Sequence, residues 1–196
     1  MRKDLGKTNS HWGVCGFTST FYAMWGLDAP GARAALINAP KAFNVLAEIK
    51  TYLRTLQAEA AMEKLKEITD FTRSFGHPFD RFTVDNYIAR INEAVSQTED
   101  QIKEEELFGI ALPPKCVADY AQRIWSREYD IIMGDAGGDG IIGVKSSEYP
   151  KMTAYKGLCH WMYRYNNRIY SWGDSHDSVT AADPTYTVIW TLRLKG

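Results

Sequence analysis

The chain has 196 residues, 45% of them hydrophobic and 24% charged, a balance that excludes a disordered or fibrous polymer. That length suits one domain with a buried core, so residues 1–196 are read as a single unit. A formal net charge of −1 removes the electrostatic ground for nucleic acid or an anionic membrane as the main partner.

Residues Met1 to Ser10 are charged and polar with no apolar stretch behind them, and no run is long enough to span a bilayer. The expectation is a soluble chain made in the cytoplasm without a cleavable signal; export by a specialised system that needs none stays open. Three cysteines, Cys15, Cys116 and Cys159, lack the paired spacing of zinc sites or a disulfide framework, so free thiols and no metal or cofactor are expected.

From Cys15 to about Arg127 the pattern is helical, punctuated by Pro30-Gly31, Gly76-His77-Pro78 and Pro113-Pro114. Lys41 to Phe75 carries apolar residues at helical spacing over a length that predicts two helices or a bend. Thr83 is placed to cap a helix through Asn86 to Val95, and Pro113-Pro114 to open one with Val117, Tyr120, Ala121 and Ile124 inward. His77 reads as a surface loop residue. After residue 128 come short β-rich runs: Ile141 to Val144, Leu158 to Tyr165, Arg168 to Trp172, and Tyr186 to Leu194. In the last, Tyr186, Val188, Trp190, Leu192 and Leu194 alternate with other residues as if one face were strongly buried. Helices first and antiparallel strands second predict an α+β fold. Gly134 to Gly140 lacks the lysine of a P-loop and the ligand spacing of an EF-hand, so it reads first as a flexible loop, with a place on the border of a cleft left open by its position before the hairpin.

Chemistry enters at Trp12-Gly13-Val14-Cys15-Gly16-Phe17, where a glycine-flanked cysteine opens a helical stretch. At a helix N-terminus the dipole and unpaired N–H groups favour the thiolate and face an oxyanion. The contrary expectation is a small buried hydrophobe. A second segment, Cys159-His160-Trp161 through Gly173-Asp174, reads as a hairpin turning at Asn166-Asn167. A three-residue loop pairs His160 with Asp174; a two-residue loop places Asp174 opposite Cys159 instead. His176 and Asp177 form a rival base and partner in a loop. Cys159 is expected in the core, facing away from His160.

A thiol, a histidine and an orienting carboxylate are the requirements of nucleophilic acyl transfer. The order Cys, His, Asp, with the cysteine on a helix near the N-terminus and the histidine entering a hairpin, resembles the papain-like cysteine peptidases and amidases. In layout it is most similar to their bacterial effector-type members. The resemblance implies a helical half carrying the nucleophile Cys15 and an antiparallel sheet carrying the base His160 and its partner Asp174. It also implies an oxyanion donor upstream of the nucleophile, where the family has glutamine and this chain has Asn9, with His11 nearer. The implied activity is hydrolysis of an amide through a thioester, in a protein or peptide substrate that includes peptidoglycan peptides, by an effector or toxin. Glutamine deamidation in the same fold is one alternative, and a non-catalytic interaction module with an inert cysteine is another.

Overall fold

The computed structural model describes residues 13–27, 41–104, 108–171 and 173–196. Helix α1 (Cys15–Gly26) is followed by α2 (Ala42–Ala58), α3 (Met62–Arg73), α4 (Val84–Glu93), the short α5 (Glu99–Glu104) and α6 (Pro114–Trp125). Strands β1 (Tyr129–Met133), β2 (Gly140–Ser146), β3 (His160–Tyr165), β4 (Arg168–Ser171) and β5 (Asp174–His176) come next, then a one-turn helix α7 (Val179–Ala182) and β6 (Tyr186–Leu194). The fold is α+β, helices first and an antiparallel sheet second.

Local chemistry sets the helix boundaries. The helical run over 41–75 divides at Ala60, whose φ of +51° is incompatible with a continuing right-handed helix. Thr83 accepts a hydrogen bond from the Asn86 N–H at 3.1 Å, the N-cap of α4. Pro114 opens α6, which buries Val117, Tyr120, Ala121 and Ile124.

The sheet runs β1-β6-β2-β3-β4-β5, each neighbouring pair antiparallel. One face packs on the helices, through Ile141, Trp161, Tyr163 and Leu192. The other gathers Ile142, Val144, Met162 and Ile169 beneath Val179 and Ala182 of α7. Both faces of β2 and β3 are therefore covered, which accounts for their continuous apolar character. The single buried face expected of β6 needs correction. A register shift between Gly143 and Val144 pairs Gly143 with Trp190 but Val144 with Val188. Tyr186 and Val188 consequently pack with the second cluster, whereas Trp190 and Leu194 pack with the helices. The bulge supplies the extra residue that moves the strand's apolar set from one face to the other. At Gly143 an added Cβ would stand 2.8 Å from both Leu158 and Trp161, so glycine is required there by close packing.

Candidate active site

Cys15 is the first residue of α1, entered through Gly13 at a φ of +64°. Gly16 lets the helix approach Leu112, whose Cβ would lie 2.9 Å from a Cβ at this position. The two glycines around the thiol thus serve a turn and a close approach. The thiol is 9% exposed. Backbone amides of Trp161, Cys15 and Gly16 lower its pKa, but burial outweighs them and pushes it up to about 11. The expected helix-stabilised thiolate is therefore not the state of this site: desolvation exceeds the amide and dipole contribution.

His160 begins β3 and is buried. Its register partner Val144 belongs to the second cluster and its ring lies 6.0 Å from that of Tyr186, so the imidazole emerges on the sheet face opposite α1. Nε2 is 2.7 Å from the Ser171 hydroxyl, itself buried on β4. Burial lowers the His160 pKa to about 3; the nearest carboxylate influence, from Asp183, acts in the opposite direction and is smaller. The Asp183 carboxylate is held by the Thr185 hydroxyl at 2.7 Å and N–H at 2.8 Å.

Cys15 and His160 are both among the residues that line one cavity of about 200 Å³, although the imidazole itself emerges on the other face of the sheet. Cys159 lines the same cavity, which corrects its expected core position. Regular alternation starts only at His160, and the half-buried Cys159 thiol donates to the Val144 carbonyl at 3.4 Å.

Asp174 does not face His160. The hairpin turns on two residues, Asn166 and Asn167, with φ of +48° and +58°, so Tyr165 pairs with Arg168. Beyond Ser171 the chain turns through Gly173, at a φ of +85°, and β5 returns along the outer edge of β4. Asp174 therefore stands opposite Ser171 and is exposed, two strands from β3. Its charge bears on the Tyr22 phenol, whose pKa rises to about 12 chiefly through burial. Ser171 occupies the place that Asp174 was expected to fill. Its partnership with His160 depends on how the strands lie across one another, which no local motif announces. The rival pair is drawn apart: His176 sits on β5 and Asp177 binds Arg168. Asn9, the expected oxyanion donor, lies outside the described residues.

The glycine-rich segment also departs from expectation. Asp135 accepts from the Gly137 N–H at 2.8 Å and pairs with Arg164 at 2.6 Å. Asp139 accepts from the Asn166 N–H at 2.9 Å. This loop is pinned to the hairpin tip, about five residues or ~17 Å along β3 from His160, instead of bordering the cavity. Among the described residues no group of three or more His, Cys, Asp or Glu could hold a metal ion, and no helix is long and apolar enough to cross a membrane.

Comparison with protein-family models, curated proteins and solved structures returns no match.

Proposed function

We propose that the chain is a papain-like cysteine hydrolase acting on an amide bond, with Cys15 as nucleophile and His160 as base. The observation that carries this reading is the shared cavity, which Cys15 at the start of α1 and His160 at the start of β3 both line. In the resting site both groups are neutral, so proton transfer from Sγ to the imidazole accompanies attack on the carbonyl instead of preceding it. This transfer requires the His160 ring to turn toward Sγ from the sheet face on which it bonds Ser171. The acyl group passes to Sγ as a thioester, the protonated imidazole releases its proton to the leaving amine, and water then attacks the thioester. Ser171 holds Nε2 at 2.7 Å and so sets the resting orientation of the ring. The Cys15 backbone N–H is the oxyanion donor of this proposal, and Asn9, outside the described residues, is the side chain assigned the same role. Peptidase, peptidoglycan amidase and deamidase chemistry share these steps and differ in the leaving group. Such an enzyme requires no metal or cofactor, and export as an effector or toxin belongs to the same proposal.

Turnover tests the assignment. Cys15→Ser and His160→Ala should each abolish amide hydrolysis while leaving the circular dichroism spectrum unchanged, because both groups act in one chemical step. Full activity in either variant removes the reading. A second reading, a non-catalytic interaction module, is favoured by the burial and neutrality of both groups. It predicts that neither variant changes anything but stability.

A further inference from the structure

The hydrolase reading leaves open what the cavity beside Cys15 accepts, and the wall chemistry bears on that choice. Away from the thiol the cavity is lined by Phe71, Phe75, Phe79, Ile110, Leu112 and Trp161. Among the described residues, the Thr72 and Trp161 side chains of this wall are engaged with the protein itself. Thr72 accepts from the Ala111 N–H at 3.0 Å and donates to the Ala111 carbonyl at 3.5 Å. The Trp161 indole N–H donates to the Leu112 carbonyl at 2.9 Å. An amide or hydroxyl group entering this space would lose its water without gaining a partner from Thr72 or Trp161, which disfavours its burial. The size is informative as well: an apolar protein cavity of about 150 Å³ takes up benzene, and this one measures about 200 Å³.

We propose that the cavity binds one compact apolar side chain, of phenylalanine or leucine size, on the residue next to the amide that Cys15 attacks. The substrate class is then a peptide cut beside an apolar residue, and not a glutamine side chain or a sugar-linked peptide. This rests on the hydrolase reading of Cys15, and the test separates the two.

Binding is measured on the full Cys15→Ser chain by titrating N-acetyl-phenylalaninamide, N-acetyl-leucinamide and N-acetyl-glutaminamide, following the Ile110 and Leu112 amide signals and the Trp161 indole signal by NMR. The apolar amides should bind about 4- to 15-fold more tightly than the glutaminamide, the difference expected from burying one to two further methylene equivalents. Ala111→Leu, which fills the cavity from its lining, should remove that preference; the ligand comparison decides the matter if this variant does not fold. Absence of binding by all three amides, or tighter binding of the glutaminamide, overturns the proposal. Reaction of the unsubstituted protein with the 4-nitrophenyl esters of the same three N-acetyl amino acids distinguishes the premises. Apolar binding without acylation of Cys15 keeps the cavity assignment and removes the hydrolase. Acylation of Cys15 with no preference among the side chains keeps the hydrolase and overturns the cavity assignment.

Discussion

Burial governs the protonation of both candidate reacting groups, since it pushes the Cys15 thiol up to about 11 and the His160 imidazole down to about 3. At neutral pH the fold therefore holds a thiol and an uncharged imidazole, the forms in which the thiol still has a proton to give and the base is free of one. Without substrate, alkylation of Cys15 by iodoacetamide should keep rising with pH through the range from 9 to 11, whereas an ordinary exposed cysteine levels off above its pKa of about 8.5. Peptide mapping of the alkylated protein gives the rate at each pH, and a plateau by about pH 8, near the ordinary thiol pKa, would contradict the buried-thiol account. The imidazole's partner is testable at the same scale. Ser171→Ala leaves a buried ring nitrogen without its hydroxyl, so it should destabilise the fold by about 1–3 kcal/mol and lower turnover by about tenfold or more. Asp174→Asn alters an exposed edge-strand side chain and should stay within about 0.5 kcal/mol in stability, with turnover nearly unchanged. Thermal unfolding and steady-state kinetics of the two variants check this contrast, and the reverse order would restore Asp174 to the site.

At the scale of elements, legibility followed the locality of the determinants. The α1 start at Cys15, the division near Ala60, the Thr83 cap and the Pro114 entry are each decided within a few residues, and each could be read from the sequence. Strands β1 and β5 could not. Their short runs, Tyr129–Met133 and Asp174–His176, acquire strand geometry from pairing with β6 and β4. Register was legible only as two alternatives, and the left-handed torsions at Asn166 and Asn167 select the two-residue turn. That selection moves Asp174 away from His160. The torsions themselves make a prediction: Asn167→Val, placing a β-branched residue at a φ of +58°, should cost about 1–2 kcal/mol. The expected fall in Tm is roughly 2–4 °C per kcal/mol for a domain of this size. Asn167→Gly should be tolerated, because glycine adopts positive φ without a Cβ penalty. A Tm for Asn167→Val equal to that of the parent would argue against the two-residue turn.

Across the whole molecule, the helical half delivers the thiol and the sheet delivers the imidazole. Cys15 and His160 stand at the starts of α1 and β3, and both line the cavity that the loop through Ile110 and Leu112 also borders. The layout was readable because helical and strand periodicities occupy separate halves of the chain. The cavity was not, since Phe71, Phe75 and Leu112 come from distant positions and look like ordinary core residues in sequence. Ser171 was missed for the same reason: a serine in a strand carries no mark until the neighbouring strand places an imidazole above it. The proposed reaction passes through a covalent acyl group on Cys15, which intact-mass spectrometry detects in protein quenched in acid during reaction with N-acetyl-phenylalanine 4-nitrophenyl ester. A single acyl adduct is expected, assigned by peptide mapping to Cys15, lost in Cys15→Ala and formed far more slowly in His160→Ala. An adduct on Cys116 or Cys159 instead, or no adduct while the ester is consumed, would contradict it.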